Sequence, residues 1–396
     1  MQRLNGAPRR YAWGTADAIP AILGTEPDGK PYAEYWLGAH EIAPARTADG
    51  GLDRLLRAHP EVLGTRSLDA FGPQLPFLMK ILSARHALSL QAHPTREQAQ
   101  EGFRRENVAG VPLDAPERVY SDPWPKPEIL IALEPFDSLH GFRDPLATAE
   151  LFAGLGVATQ LASVIGPLTE RRGPAGLAEV FLDALSLDAE RLHLVDVVGS
   201  AAIQHVNDPG ELGDFARTAV QLDSVFPADR GIIAALLLNH VKMAPGEGCY
   251  VRPGQMHAYL SGTGIEVMAC SDNVIRGGLT SKHIDVAELV RVVDFTPFEP
   301  QVALPVPISP GVEHYPTPCD EFDVWRLLPD DEAGPVPVPG GGSARIVLVI
   351  EGAMTVRTGG QELALAQGEA AFLRADEYDA TADGAGLAFV TSSGLR

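Results

Sequence analysis

The stretch PGQMHAYLSGTGIEVMACSDNVIRGGLTSKH, residues 253–283, combines strand-forming residues with side chains that carry chemistry. His257 follows a Pro-Gly turn, and Glu266 lies inside the apolar run IEVMA. Arg276 and Lys282 belong to the loop after that run. A strand that only served the core would have no need for an imidazole, a carboxylate and two cations together. The stretch therefore predicts a site that binds a metal, moves a proton and holds an anion.

The composition is that of a globular protein with an acidic balance. The chain has 396 residues, of which 45% are hydrophobic and 21% charged, and its formal net charge is −21. Proteins that bind nucleic acid present a basic face, so we expect no nucleic-acid partner. No run approaches the roughly 18 apolar residues that span a bilayer, so we expect no membrane partner either. An anionic substrate would have to be held by locally placed Arg and Lys side chains.

The cysteines and the N-terminal segment indicate a reducing compartment. The three cysteines are too few and too scattered for a disulfide framework. The N-terminal MQRLNGAPRRYAWG contains no apolar segment of the kind found in secretory signals. We therefore expect a cytoplasmic protein. Separately, we expect a monomer or a weak homo-oligomer.

The pattern of apolar and turn residues divides the chain into three predicted domains. Residues 1–143 and 240–300 are rich in short apolar runs bounded by turns, which predict the strands of one discontinuous catalytic domain. Residues 144–239 show an Asp-Pro start and apolar residues at helical spacing, which predict a helical domain of five or six helices. Residues 301–396 alternate apolar and polar residues, which predicts a C-terminal β domain.

Two segments indicate which kind of β domain to expect. Residues 246–262, GEGCYVRPGQMHAYLSG, resemble the P-x-x-x-H half of a cupin metal motif, and the glycine spacing from Gly352 to Gly368 resembles that of a cupin jelly roll. The expected fold class is therefore mixed α and β, with two cupin-like jelly-roll β-barrels plus a helical insertion domain. The second barrel carries FLRADEYDA, without a histidine, where its metal ligand would lie, so we expect it to be structural.

Four residues form a candidate metal set. Gln91 and His93 are two apart on a predicted strand, so their side chains face the same way. Glu128 opens the next strand, and His257 follows its turn. Two imidazoles, a carboxylate and a carboxamide oxygen suit Zn²⁺ with an open position, although Fe²⁺, Co²⁺ or Mn²⁺ also accept such ligands. The alternative is a hydrogen-bonded strand glutamine and two histidines satisfied within turns.

Several segments, in this order, resemble the type I mannose-6-phosphate isomerases. They are YAWG (11–14), AEYWLGAH (33–40), PFLMKILSARHALSLQAHP (76–94), KPEILIAL (126–133), GFR (141–143) and residues 253–282. The resemblance implies a cupin-like fold with a helical domain and one Zn²⁺ per chain, held by Gln91, His93, Glu128 and His257. It also implies a sugar-phosphate partner, interconversion of mannose 6-phosphate and fructose 6-phosphate, and a place in carbohydrate metabolism that supplies nucleotide sugars such as GDP-mannose. The family's Asn-His before Lys-Pro-Glu is Trp124-Pro125 here, so a histidine role is lost or reassigned.

An aldose–ketose exchange through a cis-enediol needs a base for the C–H proton and groups that stabilise oxygen charge. Glu266 is one candidate base, since burial in its apolar run would raise its pKa, and the alternative is a salt-bridged strand carboxylate. Lys126 is the rival, because it would share the face of Glu128, although it could simply offset ligand charge. Arg276 is the candidate for binding substrate or stabilising the enediolate, and the alternative is an Arg paired with Asp272.

Five further residues are candidates for binding the sugar phosphate: Lys282 for the phosphate, Ser89 for the phosphate or the sugar, Tyr259 for a sugar hydroxyl, Trp13 as a wall, and Glu34 with a weaker claim. The alternatives are a solvated loop lysine at Lys282 and a buried core tryptophan at Trp13. Two other functions compete with the isomerase. A metal cupin of another class, such as an Fe²⁺ oxygenase, would use two histidines and one carboxylate, but Gln91 adds a fourth ligand. A non-catalytic sugar-binding regulatory module would need neither the intact ligand set nor a candidate base.

Overall fold

The computed structural model describes residues 1–171, 173–330, 332 and 334–395. The N-terminal part contains nine short strands and four helices, followed by a helical stretch and a second run of strands. The first strands are β1 (Gln2–Leu4), β2 (Ala7–Arg9), β3 (Glu34–Leu37), β4 (Arg46–Thr47), β5 (Gly50–Gly51), β6 (Phe77–Ala84), β7 (Gln91–Ala92), β8 (Glu128–Ala132) and β9 (Phe136–Phe142). The first helices are α1 (Ala18–Ile22), α2 (Leu52–Ala58), α3 (Thr65–Phe71) and α4 (Arg96–Val108), with a 3₁₀ turn at Pro60–Leu63.

The remaining elements complete the chain. Helices between β9 and the next strand are α5 (Pro145–Gly154), α6 (Ala162–Ile165), α7 (Pro167–Glu170), α8 (Pro174–Leu185), α9 (His193–His205), α10 (Gly210–Val225) and α11 (Gly231–Ala235). The strands that follow are β10 (Leu238–Met243), β11 (Gly248–Val251), β12 (His257–Ala269) and β13 (Ile275–Arg276), then helix α12 (Val286–Val292). The last strands are β14 (Val306–Ser309), β15 (Val312–Tyr315), β16 (Asp323–Leu327), β17 (Val336–Pro337), β18 (Arg345–Thr358), β19 (Gln361–Ala366), β20 (Ala370–Leu373) and β21 (Thr381–Ser392).

Strand β12 joins the two parts of a ten-stranded antiparallel sheet. Its first residues pair with β9 and β7, and its residues from Gly262 onward pair with β6 on one side and β8 on the other. Gly262 marks the change of partners with φ +125, and a Cβ there would lie 2.8 Å from the Cα of Phe136. Only glycine fits this position, because other residues rarely adopt that φ and have no room for a side chain.

A nine-stranded antiparallel sheet packs against the outer face of the first sheet. Ile129 and Ile265 of the first sheet share one apolar cluster with Ile346, Leu348 and Phe372 of the second. Strand β1 pairs with β20, so the second sheet also includes a strand from the N-terminal segment. The opposite face of the first sheet is left for polar side chains, which positions the candidate site.

The helices α5–α11 cover another part of the first sheet. Their apolar residues, including Leu177 and Phe181, form one core with Ala258 and Leu260 of β12. His257 and Tyr259 alternate with those two residues, so their side chains face away from the helices. The described residues of this stretch form seven helices, where the sequence predicted five or six, because the Gly-Pro and irregular breaks divide the stretch into shorter pieces.

The mixed α and β class is confirmed. Helix α4 begins with a capping box formed by Thr95 and Gln98. The Thr95 hydroxyl accepts from the Gln98 N–H at 3.2 Å, and the Gln98 side chain accepts from the Thr95 N–H at 2.9 Å. The cupin-like form of the barrels, the helical insertion domain and the domain boundaries stay predictions. No helix in the described part of the chain is long and apolar enough to cross a membrane.

The packing of the two sheets predicts the cost of truncating Leu348. Because this side chain is fully buried between the sheets, Leu348→Ala should lower the free energy of unfolding by about 2–5 kcal/mol. Urea denaturation followed by circular dichroism measures the change. The control is Leu304→Ala, at a side chain that is 61% exposed, with an expected change below about 0.5 kcal/mol. Equal effects of the two substitutions would contradict the packing described here.

Candidate functional site

A row of four polar residues crosses the first sheet. His140 of β9 is the direct cross-strand partner of His257, His257 is the partner of Gln91, and Gln91 is the partner of Arg276. Directly paired residues place their side chains on the same face of a sheet, about 4.5–5.5 Å apart at Cβ. The structure therefore brings three residues predicted from the sequence, Gln91, His257 and Arg276, side by side.

Three buried side chains form a group that suits a metal ion. Glu128 lies between two imidazoles, with Oε1 3.4 Å from His93 Nε2 and Oε2 3.4 Å from His257 Nε2. The donor atoms of all three lie within 4.8 Å of one another. Neither Nε2 has a hydrogen-bond partner among the described residues, although both atoms are buried. Buried polar atoms are normally satisfied, so two nitrogens and a carboxylate that converge in this way fit a divalent metal.

The outer nitrogens of both imidazoles are fixed by main-chain carbonyls. His93 Nδ1 donates to the carbonyl of Asn273 at 2.8 Å, and His257 Nδ1 donates to that of Gln255 at 3.3 Å. This network assigns the tautomers and leaves each Nε2 lone pair facing Glu128. Burial, together with the charge of Lys126, lowers the pKa of His93 to about 4, so this imidazole is neutral near pH 7.

Lys126 stabilises the charge of Glu128. Its Nζ lies 2.5 Å from Glu128 Oε1, and both side chains are buried. Burial alone would raise the pKa of Glu128, but Lys126 and the neighbouring imidazoles hold that pKa well below its usual value. Lys126 lies just before β8 and not on the strand, but its ammonium group still reaches Glu128, and the carboxylate remains ionised and available to a cation.

A second buried ion-pair network surrounds Glu266. Lys80 Nζ lies 2.6 Å from Glu266 Oε2 and 3.4 Å from Glu34 Oε1, and the Trp36 indole donates to Glu34 Oε2 at 3.0 Å. Burial raises the pKa of Glu266 above its usual value, even though Lys80 acts to lower it. Burial would lower the pKa of Lys80, but the carboxylates of Glu266 and Glu34 raise it above the ordinary value. Lys80 is therefore protonated.

Arg276 and Lys282 lie in one cavity. The cavity has a volume of about 410 Å³, and its lining includes both side chains. The positive charge of Arg276 is the main cause that lowers the pKa of Lys282, so the two cations are close. The alternative pairing of Arg276 with Asp272 is wrong, because Asp272 Oδ1 instead lies 3.2 Å from His40 Nε2. Among the described residues, no carboxylate lies within ion-pair distance of Arg276, which leaves it available to an anion.

The other predicted substrate residues have different surroundings. Tyr259 is buried, and its hydroxyl has no hydrogen-bond partner within the described ranges. Trp13 is half-buried, stacks on Tyr11 at 5.7 Å and packs against the apolar cluster that contains Tyr259. Ser89 is half-buried in an irregular segment, and the structure brings it into no hydrogen bond with another predicted site residue.

Trp124 and Pro125 differ from the expected Asn-His pair. Trp124 packs against Phe71 with ring centroids 6.0 Å apart, and the guanidinium of Arg96 lies 5.3 Å from its ring. With His40 it lines a cavity of about 650 Å³. This position therefore supplies an aromatic wall and no imidazole.

Sequence reasoning missed three residues of the site: Lys80, His140 and Asn273. Lys80 could have been found from the sequence, because it is the one charged residue in the apolar strand run FLMKIL. His140 stacks on His257 with ring centroids 6.0 Å apart and an interplanar angle of 13°. Burial lowers the pKa of His140 to about 3, so it is a neutral member of the polar row. Asn273 could not be found from its residue type, because its contact with His93 is made by the main-chain carbonyl.

Comparisons with known proteins agree with this geometry. The family model "Phosphomannose isomerase type I, catalytic domain" matches residues 1–145. The mannose-6-phosphate isomerase of Salmonella typhimurium is 36% identical over 98% of both chains, and that of Rattus norvegicus is 31% identical over 93% of this chain and 92% of its own. A crystal structure described as mannose 6-phosphate isomerase bound with zinc and yttrium is 33% identical, with a TM-score of 0.90 over 100% of both chains. The chain therefore belongs to the type I phosphomannose isomerases, the enzymes named mannose-6-phosphate isomerases.

Proposed function

We propose that this enzyme interconverts mannose 6-phosphate and fructose 6-phosphate with one Zn²⁺ held by Gln91, His93, Glu128 and His257. The observation that carries the proposal is the pair of unpartnered imidazole nitrogens on either side of the Glu128 carboxylate. Gln91 is the cross-strand partner of His257 and adds a carboxamide oxygen on the same face. The names of the relatives, and the zinc-bound structure among them, support the same substrate and metal.

We assign the proton transfer between C1 and C2, through a cis-enediol, to Glu266. A bound divalent metal supplies polarisation and orientation of the two substrate oxygens. The raised pKa of Glu266 brings it closer to the operating pH, which favours a general base. Lys80, at 2.6 Å, donates to the carboxylate and keeps it ionised. Lys126 is the weaker candidate, because its ammonium group is engaged by Glu128.

The cations of the site hold the negative charges of substrate and intermediate. Arg276 lies next to Gln91 in the polar row, so it can approach the substrate oxygens and stabilise the enediolate. Lys282 shares its cavity and binds the phosphate as a point charge. We assign Ser89 to the phosphate or a sugar hydroxyl, Tyr259 to a sugar hydroxyl, Trp13 to the wall, and Glu34 to holding Lys80.

We further propose that the two sheets are cupin-like jelly rolls and that residues 144–239 form a helical insertion domain. The support is the place of α5–α11 between β9 and β10, which pair with each other in the first sheet. The remaining expectations are a cytoplasmic location, a monomer or weak homo-oligomer, and no nucleic-acid partner. The location rests on the few, scattered cysteines, and the expected lack of a nucleic-acid partner rests on the formal net charge of −21.

Removal of the metal should abolish activity. After treatment with a chelator and verified loss of metal, isomerisation of mannose 6-phosphate should stop, and added Zn²⁺ should restore it, because the metal would polarise and orient the two substrate oxygens. A coupled assay that detects fructose 6-phosphate measures the rate. Full activity of a verified metal-free sample would rule out the metal role, and iron content with oxygen uptake would favour an oxygenase.

Substitution of Glu266 should separate the two candidate bases. Glu266→Gln keeps the size of the side chain and removes the base, so turnover should fall roughly 10²–10⁴-fold while metal content stays unchanged. Lys126→Met is the matched comparison. A near-normal rate for Glu266→Gln, together with a large loss for Lys126→Met at full metal occupancy, would reassign the proton transfer to Lys126.

Substitution of Lys282 should weaken substrate binding more than turnover. Lys282→Gln removes one charge-assisted contact to the phosphate, so KM for mannose 6-phosphate should rise roughly tenfold, with a smaller effect on kcat. The control is Lys242→Gln, at an exposed lysine whose Nζ lies 2.5 Å from Asp214 Oδ1, outside the candidate site. Equal KM values for the two variants would exclude Lys282 from the phosphate site.

A further inference from the structure

The carbonyl that orients His93 belongs to a segment without regular structure. His93 Nδ1 donates to the Asn273 carbonyl at 2.8 Å, and residues 271–274 lie between β12 and β13, outside any helix or strand. No ladder of strand hydrogen bonds fixes the direction of this carbonyl. Its position must therefore come from side-chain contacts.

The side chain of Asn273 supplies the first of these contacts. Its Oδ1 accepts from the Ser121 N–H at 2.8 Å, and its Nδ2 donates to the carbonyls of Asp122 at 2.8 Å and Trp124 at 2.9 Å. Asn273 is fully buried, and these partners lie about 150 residues earlier in the chain. The orientation of Asn273 thus depends on the segment 121–124.

The carboxylate of Asp122 connects the same two segments a second time. It accepts from the Ser271 hydroxyl at 2.9 Å, from the Asp272 N–H at 2.9 Å and from the Trp124 N–H at 2.9 Å. Within the described ranges, no Lys, Arg or His lies within ion-pair distance of Asp122. Its carboxylate is therefore stabilised by these hydrogen-bond donors. We call Asp122, Ser271 and Asn273 the Asp122 latch.

We propose that Asp122 is a positioning residue for the metal centre, which acts through Asn273 on His93. The latch holds the Asn273 carbonyl in place, the carbonyl keeps the proton of His93 on Nδ1, and Nε2 is thereby presented to the metal. Partners that orient a ligand imidazole typically contribute 10–100-fold to metal affinity or activity. The inference rests on the proposed function, since it assigns the cation at this site as Zn²⁺.

The test compares Asp122→Ala with Asp144→Ala. Asp144 also accepts from two main-chain N–H groups, those of Leu146 and Ala147 at 2.9 and 3.0 Å, but it caps α5 and contacts none of the metal set. Zn²⁺ alone is titrated into each metal-free protein against a competing chelator. Asp122→Ala should bind Zn²⁺ about 10–100-fold more weakly than the unaltered protein, whereas Asp144→Ala should bind it equally well.

A second measurement reports the tautomer of His93 in the metal-free protein. In metal-free protein labelled with ¹⁵N-histidine, the His93 signal should report protonation at Nδ1, and Asp122→Ala should shift it toward a mixture of tautomers. His93→Asn identifies the signal. Ser271→Ala removes one donor to Asp122 and should produce the same changes to a smaller extent.

Unchanged Zn²⁺ affinity and an unchanged His93 signal in Asp122→Ala would overturn the inference, even if that variant melts at a lower temperature. If Asp122→Ala does not fold, Asp122→Asn and Ser271→Ala decide, and unaltered values in both overturn it. Failure of the unaltered protein to bind Zn²⁺ or to isomerise mannose 6-phosphate would instead contradict the proposed function, while the His93 signal still tests the latch.

Discussion

The ionised carboxylate of Glu128, buried between the imidazoles of His93 and His257, is the interaction on which the site depends. A buried carboxylate is costly unless cations and donors compensate it. Lys126 supplies one cation at 2.5 Å, and the two Nε2 atoms leave room for a second, a metal ion. His93, Glu128 and His257 are all buried, and the low dielectric around them strengthens every contact that the carboxylate makes.

Charge balance explains why the site contains so many buried ions. Two lysines, Lys80 and Lys126, face three carboxylates, those of Glu34, Glu128 and Glu266. This set is one negative charge in excess, so a divalent metal would leave it with one positive charge, which complements an anionic enediolate. In the proposed function the phosphate is bound separately by Lys282, because a chain with a formal net charge of −21 repels anions elsewhere.

Sequence reasoning found the residues whose role follows from local pattern, and it missed those whose role follows from register. His93, Glu128 and His257 stand out in short motifs, and Thr95 with Gln98 is a local capping signal. The partnership of Lys80 with Glu266 requires the pairing of β6 with β12, and that of His140 with His257 requires the pairing with β9. A shift of one residue would turn each of these side chains to the other face, and nothing local fixes the register. The pairing of Asp272 with His40 likewise joins distant segments, so the sequence could not exclude the alternative pairing of Asp272 with Arg276.

The replacement of the family's Asn-His pair by Trp124-Pro125 is explained by the contacts of this segment, which are made by main-chain groups. Trp124 contributes its main-chain N–H to Asp122 and its carbonyl to Asn273, and any residue except proline can supply both. Pro125 has no N–H to donate, and no hydrogen bond of the Asp122 latch requires a donor at that position. The side chains here are therefore free to change while the main chain keeps orienting His93. The Trp124 ring instead faces the 650 Å³ cavity, so substitutions at this position alter the cavity wall and leave the orientation of the metal ligand intact.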